Sequence, residues 1–375
     1  MKSSQRLFSH IRLRPFQAEA LLALKSPGHV ICIAPTGSGK SLIYERMAAQ
    51  TGARVVLITP LLALARQQFE RLSALGVETA LGTSDLRQLP EVKSKVWILS
   101  PEALQMDPKR KRALLEWKPT LLVVDEAHCF WEWGQDFRPA FAEVPGWVAE
   151  FGLKRSLWLT ATLPPLARGE LKRRLGGERI KELGQFALPS GLMLDVQRVP
   201  WPARTEALVE WISRRRGPGL VFVNTRVSAE RVGRCLAAAG MASTAYHAGM
   251  SREERVAIES QLRAGVWKAV VCTSAFGMGM DFSDLGWSVV WQAPMSLLAL
   301  AQAVGRVGRA GREGRAVLFW DSDDFRLLSG WVGASQRKAD DLVAVERFCR
   351  EGRSPEVALW DYFEGGGPEA GNITH

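Results

Sequence analysis

Short apolar runs alternate with amphipathic segments along most of the chain. The runs are four or five residues long and rich in Val, Ile and Leu, which is typical of strands buried on both faces of a parallel sheet. Ten segments are predicted to be strands of this kind: VICIA (30–34), VVLIT (55–59), VWIL (96–99), LLVVD (121–125), LWLT (157–160), LVFV (220–223), STAY (243–246), AVVCT (269–273), SVVW (288–291) and AVLFW (316–320).

Segments with helical period lie between these runs, among them residues 61–75 and residues 228–240, the second ending on a glycine suited to a helix C-cap. Strand and helix alternate in this way twice over, which predicts an α/β fold with two parallel-sheet domains. Pro and Gly break the pattern in FALPSGLMLD (186–195), where we place the seam. After about Asp321 only a short helical tail is expected. The predicted domains are 1–188 and 189–330, followed by the tail, 331–375.

Composition points to a globular chain with a basic surface. The 375 residues are 47% hydrophobic and 23% charged, which excludes a disordered chain. Lys and Arg total 49 against 39 Asp and Glu, so the formal net charge is +10. This excess favours a polyanionic partner, nucleic acid first, although the general basicity of an Arg-rich proteome would give the same balance.

The sequence has no recognisable disulfide pattern, signal peptide or membrane span, so a cytoplasmic protein is expected. The N-terminus has no apolar region typical of a signal peptide, and the uncharged stretch 285–304 is interrupted by polar residues and Pro294, so no membrane span is expected. The cysteines are odd in number, form no CxxC pair and suit neither a disulfide framework nor a four-ligand zinc cluster. They are Cys32, Cys129, Cys235, Cys272 and Cys349.

The segment APTGSGKS (34–41) follows the first predicted strand and precedes a helix, which is the context of a phosphate-binding loop. Its glycines allow backbone amides to approach phosphates at a helix N-terminus. Lys40 is predicted to reach the β- and γ-phosphates of ATP, and Ser41 to bind Mg²⁺. A chance match to a Gly-rich turn is the alternative. The predicted nucleotide-binding residues are Thr36, Gly37, Ser38, Gly39, Lys40 and Ser41.

Two acidic residues stand at the end of the predicted strand LLVV (121–124). Asp125 is expected to hold Mg²⁺ through water, and Glu126 to polarise the water that attacks ATP. A strand-edge feature or a helix N-cap is the simpler alternative for such a pair.

The second half has no phosphate loop, but QAVGRVGRAGR (302–312) carries arginines at a spacing of three. Such arginines can approach a triphosphate from across a cleft, and an arginine finger contributes about 10³ to 10⁵ in rate. Arg309 is the predicted finger, with Arg306 beside it. A solvated basic turn is the alternative.

Together these residues resemble the superfamily 2 helicases, and within them the RecQ family. The most specific segment is DEAHCFWEWGQDFRPAF (125–141), which is similar to the aromatic-rich loop of RecQ proteins. The resemblance covers about residues 8–325. The other matching motifs, in chain order, are LRPFQ (13–17), TPLLAL (59–64), SPEAL (100–104), LTAT (159–162), YHAGM (246–250), AFGMGM (275–280) and QAVGRVGRAG (302–311).

The resemblance implies two tandem RecA-like domains and ATP-driven 3′-to-5′ translocation on single-stranded DNA, with unwinding of tailed duplexes in repair and recombination. It assigns the ATP-binding domain to 1–188, the helicase C-terminal domain to 189–330 and a remnant of the RecQ zinc-binding segment to 331–375. Arg14 and Gln17 would contact adenine. Asp281 would bind the ribose, although RecQ proteins usually have asparagine there. His128 would report the nucleotide state to DNA.

Aromatic residues crowd the loop directly after the acidic pair, and Arg138 ends it. Aromatic rings stack on unpaired bases without regard to sequence, as a translocase requires. Trp133 and Phe137 match the family pattern, and for Trp131 packing is an equal alternative. Burial in the core is the simpler alternative for all four aromatic residues of the loop, Phe130 included. The resemblance implies that further residues line the nucleic-acid track or couple it to ATP. These are Ser100, Thr225, Arg226, His247 and Thr273.

The tail departs from the family. Ser354, Ala370 and Ile373 stand where the family has zinc-binding cysteines, and only Cys349 and His375 are plausible ligands. Structural zinc needs four ligands, so we predict no zinc. The tail is expected either to be partly disordered or to pack on the second domain, through Leu359, Trp360 and Phe363. We also expect no winged helix, since no sequence follows the tail to form one.

Three other functions stay open at this stage: an RNA-directed superfamily 2 ATPase, a strand-annealing protein in which ATP is only a switch, and a DNA-stimulated translocase that does not unwind. A monomer in the bacterial cytoplasm, associated with the nucleoid, is expected. A single-strand-binding protein or a topoisomerase is the expected kind of protein partner.

Overall fold

The computed structural model describes residues 11–83, 88–133, 138–176, 179–274, 276, 282 and 285–365. The chain forms two compact units, Met1–Ala187 and Leu188–His375. No described helix is both long and apolar enough to cross a membrane.

The first unit is built on a seven-stranded sheet in which every described pairing is parallel. The strand order is β3-β4-β2-β5-β6-β1-β7. The strands are β1 (Gly28–Ile33), β2 (Val55–Ile58), β3 (Thr79–Gly82), β4 (Val96–Leu99), β5 (Leu121–Val124), β6 (Arg155–Thr160) and β7 (Ile180–Gly184). The helices are α1 (Pro15–Ala23), α2 (Ser41–Ala48), α3 (Leu62–Ala74), α4 (Pro101–Gln105), α5 (Pro108–Trp117), α6 (Cys129–Glu132), α7 (Ala140–Glu143), α8 (Trp147–Glu150) and α9 (Pro165–Arg174).

The second unit has a six-stranded sheet, again parallel in every described pairing. Its strand order is β10-β11-β9-β12-β13-β8. The strands are β8 (Leu192–Arg198), β9 (Gly219–Phe222), β10 (Ser243–Tyr246), β11 (Ala269–Cys272), β12 (Trp287–Val290) and β13 (Gly314–Trp320). The helices are α10 (Arg204–Ser213), α11 (Arg226–Ala238), α12 (Arg252–Arg263), α13 (Leu297–Val304), α14 (Ser322–Val332), α15 (Gln336–Arg350) and α16 (Pro355–Phe363).

Burial explains why the central strands read as continuous apolar runs. Every residue of β2, β4 and β5 is buried, as is every residue of β9, β11 and β12. Helices therefore cover both faces of each sheet, which is the arrangement that parallel sheets require. The predicted α/β fold with two parallel-sheet domains and a helical tail is confirmed, and all ten predicted strands are present.

Three strands are absent from the sequence interpretation: β3, β7 and β8. Each lies at an edge of its sheet, and none is a continuous run of Val, Ile and Leu. The boundary between the two units, after Ala187, lies within the stretch 186–195 where the seam was placed. The second half of that stretch already belongs to β8, which begins at Leu192 and pairs with β13. Buried and exposed residues alternate at the start of this strand, so its sequence is not a continuous apolar run.

The described part of the tail, up to residue 365, is helical and packs within the second unit, where α14 contacts α15, and α16 contacts β8 and α13. Leu359 and Phe363 are fully buried, as expected for residues that anchor α16. Trp360 was expected to pack with them, but its side chain is 45% exposed. The position of Trp360 one residue after Leu359 turns it about 100° around the helix, away from the buried face.

A buried ion pair joins three segments of the second unit. The Arg204 guanidinium, in α10, donates to both oxygens of Asp324, in α14, at 3.0 and 3.2 Å, and neither side chain is exposed. Asp324 also accepts from the backbone amide of Ala293, which follows β12. Arg204 lies over the Trp201 ring at 4.3 Å. Since every polar atom of the pair is deeply buried, neither partner can be rehydrated without opening the unit.

We expect Asp324→Ala to destabilise the protein by about 3–5 kcal/mol, because it leaves the Arg204 charge buried without its carboxylate. Urea unfolding of the variant and the wild type measures the difference. The matched control is Asp323→Ala, which removes the neighbouring carboxylate from an exposed pair with Arg326 and should cost at most about 1 kcal/mol. If both substitutions lower the free energy of unfolding by the same amount, burial of the Arg204–Asp324 pair is not what makes it important for stability.

The five cysteines differ sharply in accessibility: Cys235 is partly exposed, and the other four are buried. Burial raises the pKa of Cys32 to about 11, with an opposing contribution from Lys40, and raises the pKa values of Cys129, Cys272 and Cys349 further. Since the thiolate is the reactive form, these four should resist alkylation in the native state.

Iodoacetamide at about pH 8 is therefore expected to label the native protein once per chain, at Cys235, and all five cysteines after unfolding in guanidinium. Mass spectrometry of intact protein and of peptides measures both results. Native Cys235→Ser protein should take up almost no label; rapid labelling of a second cysteine would show that the packing around it is looser than described.

Candidate functional site

Parallel pairing places five of the sequence motifs at one edge of the first sheet. The segments that follow β4, β2, β5, β6 and β1 leave neighbouring strands at their carboxyl ends. They begin, in that order, at Ser100, Thr59, Asp125, Ala161 and Ala34. Ligands of open parallel sheets bind at this edge, so the motifs share one location although they are spread over more than 120 residues.

The phosphate-binding loop connects β1 to α2 in a conformation that needs glycine. Gly37 and Gly39 have φ of +79° and +82°, the left-handed region in which a side chain is strained. A Cβ atom at Gly37 would meet nothing within 4 Å, so its surroundings are open. The Lys40 ammonium donates to the carbonyls of Ala34 and Pro35 at 2.7 and 3.0 Å. The lysine is thus held inside the loop, close to where phosphates would lie.

Gln17 fastens α1 to this loop. Its Nε2 donates to the carbonyl of Gly39 at 2.7 Å, and its Oε1 accepts from the backbone amide of Arg14 at 2.8 Å. The side chain is buried, whereas Arg14 is exposed. The predicted adenine contact Gln17 therefore binds the backbone of the phosphate loop in this structure, and both ends of its carboxamide are engaged.

The acidic pair follows β5 through a sharp turn. Glu126 has φ of +51°, an uncommon conformation for a residue with a side chain, and its amide donates to Asp125 Oδ1 at 3.0 Å. Asp125 Oδ2 accepts from Gln68 Nε2, in α3, at 2.6 Å. Burial and the neighbouring Glu126 raise the pKa of Asp125 to about 7, against the effect of Lys40. A buried carboxylate beside a second one is an environment that a cation would stabilise.

These residues fit Mg²⁺. The ion prefers oxygen ligands, keeps several of its waters and is commonly held by one or two carboxylates together with substrate phosphates. Asp125 supplies a carboxylate, and Ser41, the first residue of α2, supplies a hydroxyl. Tyr44, which is buried in the same helix, forms a side-chain hydrogen bond with Ser41. No described group of three or more His, Cys, Asp or Glu suits a metal ion on protein ligands alone.

His128 is fully buried between the acidic pair and the end of β6. Its Nδ1 lies 3.1 Å from the Thr160 hydroxyl and 3.4 Å from Glu126 Oε2. The Thr160 hydroxyl also lies 2.9 Å from the carbonyl of Thr162, so it connects the imidazole to the chain that follows β6. His128 links the catalytic candidate Glu126 to the LTAT segment.

Arg138 joins three of the motif segments. Its guanidinium donates to both oxygens of Glu102, in α4, at 2.6 and 2.7 Å, and to the carbonyl of Pro60, which precedes α3. It also lies over the rings of Trp133 and Phe141, at 5.4 and 4.7 Å. Two parallel N–H donors fix the orientation of the guanidinium and the carboxylate as well as pairing their charges. The end of the aromatic-rich loop is thereby tied to the segments after β2 and β4.

The aromatic residues of this loop are less exposed than expected. Phe130 and Trp133 are 5% and 8% exposed, and Trp133 packs edge-on against Phe141. For Phe130 the structure favours the alternative of core packing, because the ring lies in the protein interior. Trp131 is partly exposed. Phe137 lies outside the described residues.

Two of the predicted track hydroxyls serve as helix N-caps. Ser100 Oγ accepts from the amide of Ala103 at 3.4 Å, and Thr225 Oγ1 accepts from the amide of Ser228 at 3.0 Å. N-capping by a hydroxyl satisfies one of the free amides at a helix start. Thr225 begins α11, the long helix that follows β9.

The other predicted track residues of the second unit follow neighbouring strands. His247 and Thr273 come directly after β10 and β11, and Arg226 lies at the start of α11, separated from the end of β9 by three residues; the three strands are adjacent in the order β10-β11-β9. A Cβ atom on Gly249 would lie 3.2 Å from His247 Nδ1 and 3.3 Å from the guanidinium nitrogen Nη1 of Arg226. These two side chains therefore meet at one glycine. His247 Nε2 lies 3.0 Å from Glu230 Oε1.

The predicted arginine finger lies in a turn after α13. Arg309 begins a short 3-10 turn, and its Nε donates to the carbonyl of Gly305 at 3.1 Å. Arg306 and Arg309 are both buried. The turn is held closely, since a Cβ on Gly308 would lie 2.6 Å from the amide of Leu192. Asp281, the predicted ribose contact, lies outside the described residues.

At the predicted zinc remnant, Cys349 is buried in α15. Ser354, which stands at an expected cysteine position, is the N-cap of α16 and accepts from the amide of Val357 at 3.5 Å. His375, Ala370 and Ile373 lie outside the described residues.

Comparisons with known proteins agree with the motif assignment. Residues 14–168 match the DEAD/DEAH box helicase family and residues 203–311 match the helicase conserved C-terminal domain. The ATP-dependent DNA helicase RecQ of Haemophilus influenzae is 28% identical over 374 residues, which are 95% of this chain and 60% of that protein. The probable ATP-dependent DNA helicase RecS of Bacillus subtilis is 27% identical, over 91% of this chain and 70% of that protein.

Solved structures support the fold. Dbp5 of Saccharomyces cerevisiae, bound to RNA and ADP BeF3, superposes with a TM-score of 0.71 at 19% identity, covering 92% of this chain and 95% of that chain. Helicase Lhr of Mycobacterium smegmatis, bound to single-stranded DNA and AMP-PNP, gives 0.65 at 23% identity, covering 93% of this chain and 53% of that chain. The two helicase domains and the RecQ relatives together support a RecQ-like superfamily 2 helicase.

Proposed function

We propose that the protein is an ATP-dependent DNA helicase that moves 3′ to 5′ on single-stranded DNA and unwinds tailed duplexes in DNA repair and recombination. The observation that carries the proposal is the Arg138 cluster. It ties the aromatic-rich loop, which resembles that of RecQ, to segments at the same sheet edge as the phosphate loop and the acidic pair. The matched RecQ and RecS proteins are named as DNA helicases, and the chain spans 60% and 70% of their lengths.

In this proposal, the phosphate loop and the acidic pair bind and hydrolyse ATP. Backbone amides of residues 36–41 bind phosphate oxygens, and Lys40 exchanges its bonds to the loop carbonyls for the β- and γ-phosphates. Ser41 and Asp125 hold Mg²⁺, which neutralises phosphate charge when bound. Glu126 accepts a proton from water as that water attacks the γ-phosphorus and the bond to ADP breaks.

Second-unit residues and the adenosine contacts complete the proposed site. Arg309, with Arg306 beside it, would stabilise the charge that develops on the transferred phosphoryl group. Arg14 and Gln17 would contact the base, and Asp281 the ribose. For Gln17 this requires its carboxamide to exchange one of the two bonds that it makes to the protein.

Coupling to DNA would pass through His128 and Arg138. His128 contacts Glu126 and Thr160 and so can relay a change at the acidic pair to the segment after β6. Trp133 and Phe137 are assigned to DNA binding or coupling, and the burial of Trp133 favours coupling. The proposed backbone contacts to DNA, which carry no sequence information, come from Ser100, Thr225, Arg226, His247 and Thr273.

We further assign residues 1–188 and 189–330 to the two RecA-like domains and 331–375 to a zinc-free remnant of the RecQ zinc-binding segment. A monomer in the bacterial cytoplasm at the nucleoid, with a single-strand-binding protein or a topoisomerase as partner, completes the proposal. The net charge of +10 supports affinity for a polyanion. The fold of the chain is shared with RNA-bound Dbp5 and with DNA-bound Lhr. The alternatives are therefore an RNA-directed ATPase, a translocase that does not unwind, and an annealing protein.

The deciding experiment is ATP-dependent unwinding of a duplex DNA with a 3′ single-stranded tail. We expect the wild type to unwind it and Lys40→Ala to be inactive, since the substitution removes the ammonium that would bind the β- and γ-phosphates. Strand separation is followed by fluorescence.

Two controls sharpen this assay. A duplex with a 5′ tail tests polarity, and single-stranded RNA in place of DNA as the stimulator of ATP hydrolysis tests the RNA-directed alternative. Hydrolysis stimulated by DNA without strand separation would refute the helicase and leave a translocase. Annealing that survives Lys40→Ala would favour the annealing protein.

Arg138→Lys tests the proposed coupling. The substitution keeps the charge but loses the two parallel bonds to Glu102. We expect DNA stimulation of ATP hydrolysis to fall about tenfold, the effect of losing one bond of about 1.4 kcal/mol to a charged group, with hydrolysis in the absence of DNA little changed. Steady-state phosphate release with and without single-stranded DNA measures both.

Arg173→Lys is the matched control, because Arg173 makes the same paired contact with Glu170 at 2.9 and 2.8 Å on an exposed face of α9. It should leave DNA stimulation unaltered. If the two variants behave alike, the Arg138 cluster does not couple DNA to hydrolysis.

A further inference from the structure

A buried glutamine on α3 contacts the carboxylate that would bind Mg²⁺. Gln68 is 5% exposed, and its Nε2 lies 2.6 Å from Asp125 Oδ2. Its own carbonyl oxygen, Oε1, has no hydrogen-bond partner among the residues that the structure describes. Gln68 lies in the segment between TPLLAL and SPEAL, where motif comparison assigned no site residue.

The chemistry of the contact fixes its direction. A carboxylate that binds Mg²⁺ is ionised and only accepts hydrogen bonds, so in the metal-binding form the amide nitrogen of Gln68 faces Asp125, as the structure has it. This orientation leaves the amide oxygen buried without a partner, which is unfavourable for folding. An apolar residue of the same length would fill the space without that penalty. The retained amide therefore points to a requirement at Asp125.

Together the two donors hold Asp125 in one orientation. The Glu126 amide binds Oδ1 at 3.0 Å and Gln68 binds Oδ2 at 2.6 Å. One bond comes from the chain of the acidic pair itself and the other from a different helix, so the carboxyl plane is fixed from two directions. Each oxygen keeps a further lone-pair direction that can accept from a water bound to a metal ion.

The helix that carries Gln68 is itself anchored to the phosphate-loop helix. Arg71 lies three residues after Gln68 and is therefore close to it on the surface of α3. Its Nε lies 2.6 Å from Glu45 Oε1, in α2, and the Glu45 side chain is buried. α3 thus contacts α2 through Arg71 and Asp125 through Gln68, and it can keep Ser41 and Asp125 in register.

We propose that Gln68 is a positioning residue that holds the Asp125 carboxylate ready to bind Mg²⁺. The inference rests on the proposed function, because it requires that nucleotide and Mg²⁺ bind at this edge of the sheet. It predicts that loss of the amide weakens binding of the metal while binding of the nucleotide itself is retained.

The test compares Gln68→Met with Gln67→Met in the full chain. Methionine keeps the length and apolar stem of glutamine but has no N–H donor, and Gln67 is its exposed neighbour on the same helix. Binding of a fluorescent, non-hydrolysable ATP analogue is titrated in excess Mg²⁺ and in EDTA. The ratio of the two affinities reports the contribution of Mg²⁺ without relying on hydrolysis.

We expect Gln68→Met to reduce this ratio about tenfold or more, as for loss of a hydrogen bond to a charged group, with the affinity in EDTA unchanged. Gln67→Met should match the wild type. A ratio for Gln68→Met within about twofold of wild type, well below the effect expected of such a bond, would overturn the assignment of Gln68. So would an equal loss of affinity with and without Mg²⁺, since that result indicates a general structural role.

The wild-type measurement separates this inference from the function on which it rests. A wild-type chain that binds the analogue neither in Mg²⁺ nor in EDTA would refute the proposed ATP site. One that binds it equally well in both would refute the Mg²⁺ site and, with it, the role of Gln68. If Mg²⁺ raises the affinity of the wild type for the analogue and raises that of Gln68→Met equally, only the role of Gln68 is refuted. Thermal unfolding of each variant in EDTA shows that the chains compared are folded.

Discussion

Parallel pairing is the constraint on which the site of this protein depends. Each strand of a parallel sheet must be followed by a crossover, so the carboxyl ends of neighbouring strands, and the loops that leave them, collect at one edge. In the first unit this edge brings together the phosphate loop after β1, the acidic pair after β5 and the Thr160 segment after β6. In the second unit it aligns Arg226, His247 and Thr273.

Side-chain contacts between these loops give the edge its rigidity. Each loop has little regular structure, and the bonds that fix it come from residues in other segments: Gln17 to the phosphate loop, Gln68 to Asp125, and Arg138 to the chain before α3 and to α4. Because these groups are wholly or partly buried, their hydrogen bonds are shielded from competition by water. A change at one loop therefore alters the geometry of its neighbours.

The central strands and the chemical motifs could be predicted from sequence because both are local. A fully buried strand such as β5 is a continuous apolar run, and a phosphate loop needs its glycines and lysine at fixed spacing. The edge strands β3, β7 and β8 could not, since none of them is a continuous apolar run: β7 and β8 mix buried with exposed residues, and β3 is mostly buried but is the short mixed segment TALG. Burial of Phe130 and Trp133, exposure of Trp360 and the contacts of Gln17 depend on packing between distant segments. For Gln68, only its polarity among the apolar positions of α3 was a signal.

Three glycines, Gly191, Gly308 and Gly314, pack closely where the chain that leads into β8 meets the arginine-bearing turn, and this limits how the turn can vary. A Cβ on Gly191 would lie 1.9 Å from the carbonyl of Arg312, and a Cβ on Gly314 would lie 2.2 Å from the amide of Gly308. Backbone therefore rests directly on backbone, without side chains between them to absorb a shift. The stretch that leads into β8 and the turn that carries Arg309 must therefore move as a single body. Substitutions that change the position of Arg309 are then tolerated only outside these glycine contacts.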